Sequence, residues 1–160
     1  MATLRDAMAY ACHAYPASDL SKAKLAKILY LADWKSALEG RAQITPIHWK
    51  FNHYGPYVTD VVDTARLSDG FSLVDDWTSF GNRRTIVKYE GCEFGQIGDE
   101  EKRTIDEIVK TVAPLSFDAF LKLVYSTYPI VVSDRGSELD LQKLAADYRN
   151  SGLAPDTRPN

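Results

Sequence analysis

Five side chains offer a metal ion or a nucleophilic mechanism somewhere to start: Cys12, His13, His48, His53 and Cys92. A zinc site needs several such ligands at spacings that let them converge. Cys12 and His13 are adjacent, so on a helix they leave in different directions and do not make a nucleophile–base pair. A partner distant in sequence could still meet either one in space. His48 and His53 are an odd number of residues apart, which puts them on opposite faces of an unbroken strand. The reading is therefore surface or internally satisfied histidines, with no metal and no cofactor. The acidic doublets Asp75-Asp76 and Glu100-Glu101 suit a turn and a helix start better than acid–base catalysis. There is no Walker loop, dinucleotide glycine pattern or Gly-x-Ser-x-Gly elbow. Gly91, Gly95 and Gly98, interspersed with Glu93 and Asp99, read as loop. The expectation is a chain that is not an enzyme.

A nucleic-acid reader would need basic surface. Lys22, Lys24, Lys27 and Lys35 lie on one predicted helix and Arg83-Arg84 at a predicted hairpin tip, as in a winged helix. The lysines are dispersed around their helix, however, and 19 basic residues face 22 acidic ones for a net charge of -3. Nucleic acid is disfavoured as a partner. The apolar run Ile28 to Ala32 is far short of the ~20 residues that cross a bilayer. The opening Met1-Ala2-Thr3-Leu4-Arg5-Asp6 lacks the plan of a signal peptide, and two cysteines suit a reducing compartment. A soluble cytoplasmic protein with no membrane partner is expected.

These residues must be held by something. At 160 residues, 45% hydrophobic and 11% aromatic, the chain can build a core without disulfides. Leu4, Ala7, Met8 and Ala11 carry a first helical stripe ended by Pro16. Ser21 caps a second helix that runs to Gly40 with its main stripe on Leu25, Ile28, Leu29, Ala32 and Ser36. That helix has further stripes on Ala23, Ala26, Tyr30 and Ala37 and on Leu31, Trp34 and Leu38, so it belongs at the centre of the domain. Lys27 and Asp33 project among apolar neighbours and must pair, snorkel or find a gap.

Ile44 to Asn52 reads as one strand or extended segment, and Pro56 as the first turn of a helix with Val58, Val61, Val62 and Ala65 inward, closed at Ser68-Asp69-Gly70. A hairpin follows, with strands near 71–77 and 84–89 about Gly81-Asn82. Asp99 caps a helix carrying Ile105, Ile108, Val109 and Val112. Ser116 caps another with Phe117, Phe120, Leu121 and Val124 inward, and a last helix carries Leu141, Leu144, Ala145 and Tyr148. The sum is an α+β, mostly helical single domain over residues 1–153, with a central buried helix, a small antiparallel sheet or hairpin, and a flexible tail at 154–160.

The run Lys24-Leu25-Ala26-Lys27-Ile28-Leu29-Tyr30-Leu31-Ala32-Asp33 resembles a motif of the form Leu-x-Lys-Leu-Leu-Tyr plus a small residue. Gly40 and Tyr54-Gly55-Pro56 resemble its second landmark, and Leu121 to Pro129 is similar to a late helix ending in Thr-His near a proline, here Thr127-Tyr128. Together, over about residues 5–130, these resemble the Panacea domain, also called SocA-like or DUF4065. The resemblance implies a bacterial or phage antitoxin encoded beside a cognate toxin and neutralising it by direct protein–protein binding. It also implies, for one branch of the family, an adaptor delivering the toxin to the ClpXP protease. A winged-helix regulator is the other alternative. Leu25, Lys27, Ile28, Leu29, Asp33, Gly40, Tyr54, Gly55 and Pro56 are read as the structural motif. Lys27 and Asp33 are expected to make charge-assisted hydrogen bonds that fix the central helix against the Tyr54-Gly55-Pro56 turn. Tyr30, Trp34, Arg41, Trp49, His53 and Tyr57 are the candidates for partner contact, because Tyr, Trp and Arg most often anchor interfaces.

Overall fold

A computed structural model describes residues 2–52 and 55–152, with Tyr57 described for its backbone. His53, Tyr54, the Tyr57 side chain and the tail 154–160 therefore lie outside the described residues. In order, the chain forms α1 (Leu4–Ala14), α2 (Lys22–Leu38), β1 (Lys50–Asn52), β2 (Gly55–Tyr57), α3 (Asp60–Leu67), β3 (Phe71–Trp77) and β4 (Arg83–Tyr89). Then follow α4 (Asp99–Val112), α5 (Phe117–Tyr125), α6 (Tyr128–Val132) and α7 (Leu141–Asn150). It is an α+β domain, mostly helical, with two separate antiparallel strand pairs, β1–β2 and β3–β4.

Helix α2 is the hub. The Ser21 hydroxyl accepts from Lys24 N–H at its start. At its end Gly40 turns at φ 76°, donating to Ala37 O while Arg41 N–H returns to Ser36 O. This is a complete Schellman stop, which needs a residue at ease with positive φ. Between those ends the helix packs against α1, α3, α4, α7, β2 and β4. Leu25, Ile28, Leu29 and Tyr30 are wholly inaccessible, and Lys27 and Asp33 are buried beside them. A helix surrounded in this way must be apolar on nearly every side, as its overlapping stripes predict.

The β3–β4 hairpin is tied to the hub by a bridge between Ser21 and Ile86 and by Val87 N–H to Leu20 O at 2.9 Å. At its root Val87 is buried and Phe71 and Leu73 pack on the core, while the far end extends past it.

Four details differ from the sequence reading. Only Lys50–Asn52 of the 44–52 segment is strand, because residues 44–49 bend around a buried carboxylate described below. Pro56 sits in β2 opposite Phe51, and the helix begins only at Asp60. Proline fits a short edge strand as well as a helix start, since either site can do without its N–H. Gly98, not Asp99, occupies the cap of α4, and Glu101 reaches back to Gly98 N–H at 3.2 Å. Phe117 is 51% exposed rather than inward. The described residues also include a seventh helix, α6, whose five residues are too few to show a periodic stripe.

Candidate functional site

Asp33 lies on the side of α2 that meets the 44–49 segment, and its two oxygens accept four hydrogen bonds. Ile44 N–H and Thr45 N–H donate to Oδ1 at 2.8 and 3.0 Å. The Thr45 hydroxyl and Trp49 Nε1 donate to Oδ2 at 2.6 and 2.9 Å. The chain between Ile44 and Trp49 is thereby wrapped onto the hub by one side chain. Burial pushes the carboxyl up to about 6 even though all four hydrogen bonds pull it down. Asp33 thus holds the 44–49 segment to the helix, not the expected Tyr54-Gly55-Pro56 turn, whose Tyr54 lies outside the described residues. Thr45 was not singled out in the sequence. The only signal for it was a lone acid on an apolar helix, which demands donors without saying where they come from.

Lys27 is also buried, and burial lowers its pKa. Among the described residues its ammonium has no hydrogen-bond or ion-pair partner. Tyr54, its expected neighbour, lies outside them. Gly55 and Pro56 lie in β2, which packs on α2. Gly55 has φ 94°, and a Cβ there would sit 3.6 Å from the Tyr125 ring. Its need for glycine is therefore conformational rather than spatial.

Two further segments converge on the central helix. The Tyr30 hydroxyl lies 2.8 Å from Thr127 Oγ1, which itself donates to Val124 O at 2.7 Å, so Tyr30 is the donor in the first contact. The Tyr30 ring meets Trp49 edge-on at 5.6 Å between centroids. Through these contacts α2, the segment before α6 and the Asp33-bound segment are packed as one body.

The candidates for partner contact fall into distinct places. Tyr30 and Trp49 face the protein's own interior, at 0% and 1% exposure. Trp34 is buried but forms one wall of a cleft of about 210 Å³ with Leu38, Ser126, Thr127, Tyr128, Val131 and Tyr148. Arg41 is partly exposed and held by Glu39 at 2.7 Å and Thr104 at 2.9 Å. His53 and the Tyr57 ring lie outside the described residues.

A different surface carries the exposed rings. At the end of the hairpin Trp77 is 67% and Phe80 92% exposed. The tip is fixed by Thr78 N–H to Asn82 O at 2.8 Å and Gly81 N–H to Thr78 O at 2.9 Å. Cross-strand ion pairs Arg83–Asp75 and Arg84–Asp76 brace the two strands behind it. Sequence reasoning found the hairpin but not these rings. The alternation of β3 marks Trp77 as a partner of the buried face, and only the length of the strands carries it beyond the core.

Four of the basic residues that a wing-and-helix reader would offer to phosphate are engaged elsewhere. Lys24 binds the Tyr15 hydroxyl, Lys35 pairs with Glu39 and Glu107, and both tip arginines hold aspartates. Among the described residues no group of three or more His, Cys, Asp or Glu side chains could hold a metal. Burial pushes the Cys12 thiol up to about 12, so it is not a thiolate near neutral pH. Nor is any described helix long and apolar enough to cross a membrane.

Fold and site together define a helix-centred α+β domain in which the 44–49 segment and the segment before α6 are bonded to one buried helix. The chain belongs to the SocA-like antitoxin family: the model of that family, "Antitoxin SocA-like, Panacea domain", matches residues 25–129. The match opens at the hub helix and closes at Pro129, spanning Asp33, Gly55, the hairpin and Thr127, whereas α1 and α7 flank it. No curated protein and no solved structure matches the chain.

Proposed function

We propose that this chain is a non-catalytic antitoxin that neutralises a cognate protein toxin by binding it directly. The rings of Trp77 and Phe80 are its principal anchors, and Arg41 with the exposed rim of the Trp34 cleft is a secondary contact. Family membership supports the antitoxin role. The observation that carries the surface is the hairpin tip, where two large rings stand in solvent on a turn held by hydrogen bonds and ion pairs. Large apolar side chains exposed together mark interaction surfaces, and aromatic anchors on a rigid support lose little entropy on binding. The buried Tyr30 and Trp49 act in this reading by setting the shape of the domain.

Co-expression with the product of the neighbouring reading frame tests it. Rescue from growth arrest, co-purification, and loss of both on Trp77→Ala with Phe80→Ala support direct binding. A toxin whose half-life shortens only when this chain and a ClpXP-type protease are both present indicates delivery for degradation instead. Rescue that survives both substitutions removes the tip from the interface.

A further inference from the structure

The strand edges of this domain are not treated alike. Along the outer edge of β1, Phe51 N–H donates to Ser137 O at 3.0 Å, Gly136 N–H donates to Phe51 O at 2.6 Å, and Lys50 bridges Glu138. Along the outer edge of β4, Val87 N–H donates to Leu20 O at 2.9 Å and Ser21 bridges Ile86. No described segment pairs in this way with the outer edge of β3.

Hydrogen bonding fixes which residues of β3 face outward. In an antiparallel pair, residues bonded to the partner strand alternate with residues whose N–H and C=O point away from it. Glu90 N–H to Gly70 O at 2.9 Å and Thr78 N–H to Asn82 O at 2.8 Å bracket the hairpin, and Val87, opposite Leu73, spends its N–H on Leu20. Ser72, Val74 and Asp76 therefore bond β4, while Leu73, Asp75 and Trp77 turn outward. Trp77 N–H is taken by Asp76 Oδ1. The N–H and C=O of Leu73 and of Asp75 have no partner among the described residues.

Such an edge is a template for another strand. Its charge selects which strand. The sequence of β3, Phe-Ser-Leu-Val-Asp-Asp-Trp, carries two acids and no base. A second copy of β3 laid against it would set aspartates against aspartates, and like charges across strands are destabilising. A strand bearing Lys or Arg meets the opposite sign.

We propose that the free edge of β3 takes up an extended segment of the partner protein as a third strand. That segment hydrogen-bonds to Leu73 and Asp75, carries Lys or Arg beside Asp75 and Asp76, and sets an apolar residue against Trp77. The inference rests on the antitoxin reading above and adds to it the element of the toxin that is recognised. Main-chain bonds along an edge supply affinity, and the side chains beside it supply selectivity. Because the same strand ends at Trp77, three residues before Phe80, edge and rings form one continuous surface.

Amide hydrogen exchange by nuclear magnetic resonance, on the full chain alone and with the product of the neighbouring reading frame, tests this. Alone, the Ser72, Val74 and Asp76 amides should be protected and those of Leu73 and Asp75 exchange fast. In the complex the latter two should slow by at least about 10-fold. Asp75→Pro removes an N–H that the hairpin does not use, which an edge strand tolerates, and Asp75→Ala controls for the ion pair lost to Arg83. The proline variant should bind at least about 10-fold more weakly than the alanine variant. If proline also unprotects Ser72 and Val74, the exchange comparison in the parent decides alone. A complex in which Leu73 and Asp75 exchange as in the free chain, or equal affinity of two folded variants, overturns the added strand and leaves the ring anchors standing. Protection that grows with the concentration of this chain alone overturns it in favour of a second copy. Absence of any complex with the parent overturns the antitoxin reading and the added strand together.

Discussion

Asp33 shows how one side chain can organise a segment. Its four donors are themselves buried, so Asp33→Ala leaves them without an acceptor, and each buried unsatisfied donor costs roughly 1–3 kcal/mol. We expect a loss of at least about 3 kcal/mol and a fall in Tm of about 6–12 °C, read by calorimetry. The same group makes stability depend on pH. Its carboxyl rises from 3.8 to about 6 on folding, so the folded state holds that proton more tightly than the unfolded chain. Its contribution is greatest below about pH 4, declines by roughly 3 kcal/mol as pH rises to about 6, and is level above that. Urea unfolding across this window should show the decline in the parent and not in Asp33→Asn, and parallel curves would contradict it. Lys27 is the reverse case, a buried cation whose charged form burial disfavours. Lys27→Met should therefore raise Tm, since an apolar side chain of similar length removes a desolvation cost. A fall of several degrees would mean that the ammonium is held.

At the scale of elements, what was legible in the sequence was whatever repeats locally. The stripes of α1, α2, α4, α5 and α7, the Ser21 and Ser116 caps and the Gly40 stop all follow from spacing and capping chemistry within a few residues. What was not legible depends on partners far along the chain. Pro56 fits a helix start and an edge strand equally until Phe51 is placed opposite it. The rings of Trp77 and Phe80 look like core residues until the hairpin is seen to outrun the core. Likewise Tyr30 and Trp49 offered rings suited to an interface, and packing absorbed both. The β2 corner provides an elemental test. Gly55 holds φ 94° with room for a Cβ, so Gly55→Ala should cost about 1 kcal/mol and the β-branched Gly55→Val about 2–3 kcal/mol, measured by chemical unfolding. Equal stability for all three would show that the corner tolerates any backbone.

At the scale of the whole molecule, the buried helix spends its polar groups on the 44–49 segment and on Thr127, and the two most exposed rings, Trp77 and Phe80, stand on the hairpin. Tyr30 to Thr127 and Asp33 to the 44–49 segment make a rigid body, while the hairpin carries two rings beyond it. This separation predicts that stability and toxin binding can be broken independently. The most direct measurement is a titration of the purified chain with the product of the neighbouring reading frame, the proposed toxin, comparing the parent with the Trp77→Ala, Phe80→Ala double variant. The account predicts a thermal midpoint nearly unchanged from the parent, because neither ring is in the core. It also predicts affinity weakened by at least about 30-fold, the loss of roughly 2 kcal/mol that marks an anchor residue. Full affinity in the double variant, or no measurable complex with the parent chain, would contradict it.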